Sequence, residues 1–275
     1  MPRIRYVAQD DTVGFAAAIG FKAGMGHAII IDDREGNHNF GKPLFVPYSV
    51  IALPPLKVVG IRAYKIVDGY LTNIGKVEQN QDANDATEIR ALVQIVPKDS
   101  GFSQKKPFVI EVPISGKTAQ EKIEFVKKYI GKELDQREIL SRWVYVDVIG
   151  VTKGKGFQGP VKRFGIKRKQ HKSRKSVRAV GAIGPWHPAS VMYSVPRAGH
   201  MGYHRRTIYN LRIIGISKEP NVRLPTKAIK GYYILIKGSV PGPVGRPLVM
   251  RKAVRLNVQK KFPTVLSLST PGVNI

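Results

Sequence analysis

The first third of the chain alternates short apolar runs with turn-forming residues, a pattern that favours β-strands over long helices. Proline and glycine residues, among them Pro43, Pro54 and Gly60, bound or interrupt these runs. An antiparallel sheet or barrel is therefore predicted here. The predicted strands cover residues 15–21, 27–31, 44–53, 57–66, 89–96 and 108–114, with a polar surface loop over 77–88.

The period of the apolar positions changes after residue 117. Ile123, Val126 and Ile130 recur at helical spacing, with Ser115 or Thr118 available as the N-cap and Gly131 as the C-cap. We therefore predict helices over residues 118–130 and 135–140, and further strands over 143–151, 211–216, 232–237 and 248–256.

Charge divides the chain into two parts. The 275 residues carry 46 Lys or Arg and 19 Asp or Glu, a net charge of +27. Residues 1–147 hold 20 basic and 18 acidic side chains, whereas residues 148–275 hold 26 basic side chains and one acid, Glu219. From Val151 to Arg212 there are 15 Lys or Arg and no acid. A solvated basic face is the ordinary explanation of a charge run, but this segment is too long for one face. We expect its stable form to need an external polyanion.

Composition narrows the class of protein. The chain is 43% hydrophobic, which is too apolar for a wholly disordered basic tail. It contains no cysteine, so disulfides, thiolate metal sites and thiol nucleophiles are excluded. No apolar run approaches the roughly 18 residues that a membrane helix needs, so we expect no membrane partner and a cytoplasmic location. The fold class we predict is mainly β (α+β).

The basic segment suits the phosphate backbone of a nucleic acid. Each Lys or Arg that meets a phosphate releases condensed counterions, and interleaved aromatic rings can stack on exposed bases. The aromatic residues in question are Phe157, Phe164, Trp186, Tyr193, Tyr203 and Tyr209. For Phe164, Trp186 and Tyr203, a place in the core and a nucleic-acid contact are equally compatible with the sequence.

Two motifs suggest cofactor chemistry without supporting it. Gly154, Gly156 and Gly159 form a G-x-G-x-x-G after a predicted strand, but the dinucleotide-binding turn must open a helix and precede an acid, and Pro160 with an acid-free run follows here. These glycines instead allow close approach of the backbone to phosphates. His200 and His204 have a metal-ligand spacing only on a helix, which Gly199 and Gly202 disfavour. We predict no cofactor, no metal, no small-molecule substrate and no catalytic residue.

Long motifs in the basic half carry a family resemblance. Residues 150–159 (GVTKGKGFQG), 183–189 (IGPWHPA) and 197–207 (RAGHMGYHRRT) strongly resemble the uL3 family of large-subunit ribosomal proteins in its archaeal and eukaryotic form. Residues 21–25, 54–64 and 238–242 add further matches. The family usually has Gln in place of His200 and Thr in place of Gly26, and a longer basic arm before the strands. RNA contacts of such an arm are expected to be reduced here.

The resemblance implies a β-barrel body of the translation-protein type, lying on large-subunit rRNA, with a long loop that reaches toward the peptidyl transferase centre. We therefore divide the chain into residues 1–150, the first part of the barrel with a helical insertion near 118–140; residues 151–210, the basic RNA-penetrating loop; and residues 211–275, the remaining strands and tail. Trp186 matches the tryptophan at the tip of the family's loop.

The resemblance also implies a function without catalysis. Such a protein binds early in subunit assembly, shapes the surroundings of the centre, and neighbours uL14 and eL24. The candidate RNA-binding residues are Lys153, Gly154, Lys155, Gly156, Phe157, Gly159, Lys162, Arg163, Lys167, Arg168, Lys169, His171, Lys172, Arg174, Lys175, Arg178, Trp186, His187, Arg197, Tyr203, His204, Arg205 and Arg206.

Two other classes stay open on the sequence alone. An RNA-modifying enzyme would grip its substrate with the basic segment, but it would need a cofactor pocket or an acid–base pair. A general nucleic-acid-binding protein, such as one that compacts DNA, would bind duplexes without preferring RNA.

Overall fold

The computed structural model describes residues 2–4, 11–76, 86–173, 176–218, 220, 222–224, 228–256 and 262–269. Strands dominate the described residues and the helices are short, so the predicted mainly β fold is confirmed. The chain divides into two units. We call them the body, Met1–Val151 with Arg205–Ile275, and the insertion, Thr152–His204.

Within the described residues the chain forms seventeen strands and three α-helices. The strands are β1 (Gly14–Phe15), β2 (Ala17–Ile31), β3 (Pro43–Leu53), β4 (Leu56–Val67), β5 (Tyr70–Lys76), β6 (Glu88–Ile95), β7 (Phe108–Ser115), β8 (Glu133–Leu134), β9 (Tyr145–Val151), β10 (Phe157–Gln158), β11 (Gly199–His200), β12 (Arg205–Ile216), β13 (Val222–Arg223), β14 (Ala228–Ile229), β15 (Tyr232–Lys237), β16 (Pro247–Lys252) and β17 (Val265–Leu268). The helices are α1 (Ala119–Lys127), α2 (Arg137–Leu140) and α3 (Pro160–Phe164), with a 3₁₀ turn at Pro97–Ser100.

One sheet of the body has the strand order β1-β7-β6-β4-β5, with β8 also paired to β4. The pairs are antiparallel, and Ile61 on β4 lies opposite Ala91 on β6. Both side chains are buried, whereas Lys57 on the same strand is exposed. The register shifts between Val58 and Gly60, which is a bulge at the glycine that the sequence marks as an interruption. The apolar face of this sheet forms part of the core.

The other large sheet closes on itself. Its strands follow the order β16-β9-β12-β15-β3-β2, and β16 also pairs with β2, so that six strands form a closed ring with β17 added beside β2. Val249 on β16 lies opposite Ile19 on β2 and opposite Ile149 on β9. All three side chains are buried in the core. These antiparallel pairings bury apolar residues from strands that are far apart in sequence.

The strand β2 corrects one prediction. We predicted two strands over residues 15–21 and 27–31, but residues 17–31 form a single strand with a register shift between Lys22 and Gly24. The glycines do not break it, because the strand needs small residues for close packing. A Cβ on Gly20 would lie 2.5 Å from Ile51 Cγ2 and 2.7 Å from the Ala52 carbonyl oxygen.

The predicted helices are both present and both shorter than expected. Thr118 is the N-cap of α1, and its hydroxyl accepts a hydrogen bond of 3.4 Å from the Glu121 N–H. The predicted C-cap at Gly131 is wrong, because α1 ends at Lys127 and the Gly131 N–H donates to the Val58 carbonyl, 3.0 Å away. The predicted helix over 135–140 starts at Arg137, because the Asp135 carboxylate accepts from its N–H at 2.9 Å.

Other boundaries also differ from prediction. β12 starts at Arg205 instead of residue 211, since its pairing with β9 continues up to Val151. β16 ends at Lys252 instead of residue 256. The strands β5 and β17 and the helix α3 were not predicted. Of the predicted loop over residues 77–88, positions 77–85 lie outside the described residues.

Candidate nucleic-acid interface

The two ends of the insertion are held together by backbone hydrogen bonds. The Thr152 N–H donates to the His204 carbonyl at 2.9 Å, and the Lys155 N–H donates to the Met201 carbonyl at 2.9 Å. The Met201 N–H in turn donates to the Gly156 carbonyl at 3.0 Å. We call these paired segments, residues 152–158 and 199–204, the stem. β10 and β11 form a two-stranded ladder at one end of it, with Phe157 opposite His200 and Gln158 opposite Gly199.

Gly202 fits where no other residue does. Its φ of +75° is in the left-handed region, and a Cβ there would lie 2.1 Å from the Lys153 carbonyl oxygen. The two segments of the stem therefore approach each other so closely at Gly202 that no side chain fits there. The neighbouring Tyr203 also has a positive φ, 57°, and the residue is 61% exposed.

The structure around the motif Gly154, Gly156 and Gly159 agrees only in part with the prediction from the sequence. Gly159 is the N-cap of α3 and Pro160 occupies the first turn, so a short helix does follow the motif, contrary to the expectation from Pro160. Gly165 is the C-cap of α3, and its N–H donates to the Val161 carbonyl at 2.9 Å. A Cβ on Gly156 or Gly159 would meet nothing within 4 Å, so the backbone at both positions is accessible.

The Arg163 side chain contacts the second half of the insertion at Arg197 and Gly199. Its Nη1 donates to the Arg197 carbonyl at 3.0 Å, and its guanidinium lies 4.9 Å from the centre of the Phe164 ring. A Cβ on Gly199 would lie 2.7 Å from Arg163 Nη1, so the side chain fills the space above that glycine. Arg163, expected as a phosphate contact, is thus half-buried with an internal partner.

Most of the other predicted cations point into solvent. The exposed ones are Lys153, Lys155, Lys162, Lys167, Arg168, Lys169, Lys172, Arg178 and Arg197, together with His171 and His187. His204 is half-buried at the stem. Arg205 and Arg206 lie on β12, in the body. Arg174 and Lys175 lie outside the described residues.

The charge of the insertion has no internal counterion. Residues 152–204 contain 12 Lys or Arg and no Asp or Glu. In the body, by contrast, carboxylates of the neutral half neutralise arginines of the basic half. Arg212 donates to Asp33 at 2.6 Å, and the hydrogen bonds from Arg212 lower the pKa of that carboxyl below its ordinary value. Arg251 pairs with the buried Asp147 at 3.1 Å. The insertion thus carries +12 of the net charge of +27 on 53 residues without an acid, and the body, with 34 basic and 19 acidic residues, carries the other +15.

The aromatic residues of the insertion are exposed. Trp186 is 88% exposed and Phe157 is 78% exposed, and Phe164 is also on the surface. A place in the core is thereby excluded for these three side chains. Their rings are available for stacking on bases or on a neighbouring surface.

The middle of the insertion, residues 179–196, differs from the arms that flank it. It holds no Lys, Arg, Asp or Glu, although Arg178 and Arg197 adjoin it directly. Ile183, Met192 and Tyr193 are exposed there in addition to Trp186. The predicted RNA-binding residues include none of these three, although Tyr193 is one of the aromatic residues that the sequence interleaves with the basic ones. An apolar run with Gly and Pro and without helical or strand periodicity was the signal that could have found them.

His200 and His204 lie close to each other in the stem. The His200 and His204 rings are 5.9 Å apart, edge to face, and His200 lies on β11 instead of on a helix. Within the described ranges, no group of three or more His, Asp or Glu side chains could hold a metal ion. No helix in those ranges is long and apolar enough to cross a membrane.

Comparison with known proteins now decides the family. A family model described as ribosomal protein L3 matches residues 70–269, well over half of the chain. The chain belongs to the ribosomal protein L3 family. It is 36% identical to the large ribosomal subunit protein uL3 of Methanothermobacter thermautotrophicus over 98% of this chain and 91% of the relative. It is 37% identical to the uL3 of Methanocaldococcus jannaschii, with the same coverage of both chains.

Membership of the L3 family, in its archaeal type, fixes the general role of the chain. It is a structural constituent of the large ribosomal subunit and acts in translation. It is not an enzyme, so the alternative of an RNA-modifying enzyme is wrong.

Proposed function

We propose that the insertion binds large-subunit rRNA and that the body positions it there. The observation that carries this proposal is the exposure of nine Lys and Arg side chains on a segment that contains no acid. Such a segment is stable against its own repulsion only when an external polyanion neutralises it. Phosphates of RNA do this and release counterions in the process.

The separation of charge within the insertion supports a division of labour. The basic arms would contact phosphates, whereas the uncharged, aromatic middle would reach a site where stacking and apolar contacts matter more than charge. By its resemblance to the family, we place Trp186 near the peptidyl transferase centre, where it would shape the surroundings without taking part in peptide transfer.

The need of the insertion for an external polyanion also suggests when the chain joins the large subunit, and the family resemblance suggests which proteins lie beside it. A segment that needs RNA for its stable form orders as it binds, which suits entry at an early stage of large-subunit assembly. The family resemblance adds uL14 and eL24 as expected neighbours and the cytoplasm as the place where the ribosome-bound chain works.

The experiment that tests the proposal removes charge from the insertion alone. In the variant Lys162→Gln/Lys167→Gln/Lys169→Gln, three exposed ammonium groups are lost. We expect weaker binding to a large-subunit rRNA transcript, and a slope of log K against log salt that is smaller in magnitude by about three, one for each lost phosphate contact.

The matched control is Lys57→Gln/Lys98→Gln/Lys132→Gln, which removes three exposed lysines from the body. Its salt slope should stay close to that of the unmodified chain. Equal slopes for both variants would contradict a role of the insertion in RNA binding. Equal affinity of the unmodified chain for duplex DNA and rRNA would favour a general nucleic-acid binder instead.

A further inference from the structure

The β4–β5 hairpin, by which we mean residues 66–74, exposes apolar side chains on both faces of its sheet. Ile66 lies opposite Leu71, and Val67 lies opposite Tyr70. Because successive residues of a strand point to opposite faces, the two pairs lie on opposite faces of the hairpin. Tyr70 is 77% exposed, and the other three residues of these pairs are 41% to 53% exposed. A group of exposed apolar side chains of this kind marks an interaction site in folded proteins.

The strand β5 of this hairpin is the edge of its sheet. The strand order β1-β7-β6-β4-β5 ends there, and among the strands that the structure describes, none pairs with β5 on the side away from β4. Folded proteins protect such an edge with lysine, proline or a covering segment, because its N–H and C=O groups can pair with another strand. Residues 70–75 (YLTNIG) contain neither lysine nor proline. In the described part of the chain, this edge is therefore open to an added strand.

The turn between the two strands fixes the geometry of the hairpin. Asp68 and Gly69 have φ values of 51° and 78°, and a two-residue type I′ turn requires positive φ at both positions. The four residue pairs next to the turn are in regular register. At the far end of β5, the Asn73 side chain accepts a hydrogen bond of 3.0 Å from the Gly75 N–H. The edge is thus a formed strand before a partner binds, so that little ordering of the hairpin opposes binding.

The charge of this region is opposite in sign to that of the protein. Residues 66–75 contain Asp68 and no Lys or Arg, and residues 66–88 contain five Asp or Glu and one Lys. The chain as a whole has a net charge of +27. Lys65, which directly precedes the hairpin, is half-buried opposite Thr72. A phosphate backbone is bound through cations, and residues 66–75 supply none.

The arginines of β4 and β6 are already paired with carboxylates of the same sheet. Arg90 Nε donates to Glu88 at 2.9 Å, and both Arg62 and Arg90 contact Glu111. The Tyr64 hydroxyl also donates to Glu111, at 2.8 Å. Because these carboxylates neutralise the arginines of the sheet, the hairpin keeps its acidic character.

We propose that the β4–β5 hairpin is a docking site for an extended, basic segment of another protein. The segment adds to the sheet as a strand beside β5, and main-chain hydrogen bonds supply affinity. Its apolar side chains pack on Tyr70 and Leu71, one on each face, and its Lys or Arg side chains lie near Asp68. A protein is favoured over RNA because the hairpin offers apolar surface and negative charge. This docking site goes beyond RNA binding by the insertion and does not depend on it.

The test places a photocrosslinker on β5 in the assembled large subunit. In Tyr70→p-benzoylphenylalanine an aromatic ring remains at this exposed position. After irradiation, we expect a crosslink to a segment of another protein, identified by mass spectrometry, that carries Lys or Arg and alternates apolar with polar residues. The matched control is Val109→p-benzoylphenylalanine, at a 51% exposed apolar position on the interior strand β7 of the same sheet. It should not crosslink to that segment. A crosslink from position 70 to rRNA, to residues of the same chain, or to no molecule would overturn the proposal.

A second measurement tests whether charge selects the partner. The crosslinked segment is made as a synthetic peptide and titrated against the purified full chain. We expect Ile74→Lys to bind this peptide about tenfold more weakly than Ile74→Glu, because both variants lose the same apolar side chain and differ in charge. Val109→Lys and Val109→Glu should bind it equally. Equal affinity of Ile74→Lys and Ile74→Glu would refute a basic partner at this edge.

Discussion

Single residues decide whether the insertion is held at its base. Gly202 is the clearest case, since its left-handed backbone and its approach to the Lys153 carbonyl exclude any side chain. The sequence places a glycine there but does not show that its Cα faces another backbone across the stem. That information arises only from the pairing of residues 152–158 with 199–204.

The variant Gly202→Ala should open the stem. An alanine in the left-handed region costs about 1–2 kcal/mol, and the contact with the Lys153 carbonyl adds to this cost. Since 1.4 kcal/mol corresponds to a factor of ten, we expect hydrogen exchange at the Lys155 and Met201 amides to accelerate about tenfold or more.

The matched control for the stem is Gly181→Ala. A Cβ on Gly181 meets nothing within 4 Å and its φ is not positive, so exchange at the same amides should not change. Unchanged exchange in Gly202→Ala would show that the stem tolerates a side chain and that this account of its base is wrong.

The elements were predictable where burial imposes a period and unpredictable where it does not. The strand over residues 232–237 and the Thr118 cap follow from local pattern, and both are confirmed. The single strand β2 and the early start of β12 at Arg205 were missed, because cross-strand pairing extends a strand through glycines and arginines that local propensity disfavours. α3 was missed because only five residues separate its two glycine caps.

The middle of the insertion is the element whose role is tested most simply. Trp186 is 88% exposed in a segment without charge, so removing its ring should cost little in the stability of the body. We expect Trp186→Ala to leave the thermal unfolding midpoint unchanged, to be incorporated into ribosomes, and to alter translation accuracy or sensitivity to drugs that bind the peptidyl transferase centre.

Phe157→Ala is the control for loss of an exposed aromatic ring. Phe157 lies in the stem and is also well exposed, at 78%. We expect Phe157→Ala not to reproduce the change in drug sensitivity that Trp186→Ala causes. If ribosomes carrying Trp186→Ala behave like unmodified ribosomes in both assays, Trp186 does not have the role assigned to it.

In the molecule as a whole, the body and the insertion differ in charge: the body contains the acidic residues, and the insertion contains none. Acids from the neutral half pair with arginines of the basic half in the body, as Asp33 does with Arg212 and Asp147 with Arg251. The sequence showed that carboxylates were lacking in the insertion, but it could not show which arginines of residues 205–275 were already neutralised.

Sedimentation of the chain with ribosomes in a native lysate, before and after a wash at about 1 M salt, tests whether the chain is an integral part of the large subunit. At that ionic strength the Debye length is roughly 3 Å, so proteins held by surface charge alone dissociate. We predict that the chain stays with the large subunit through the wash, as an integral component whose insertion is enclosed by RNA. Release into the free fraction, or no association with the large subunit before the wash, would contradict the account.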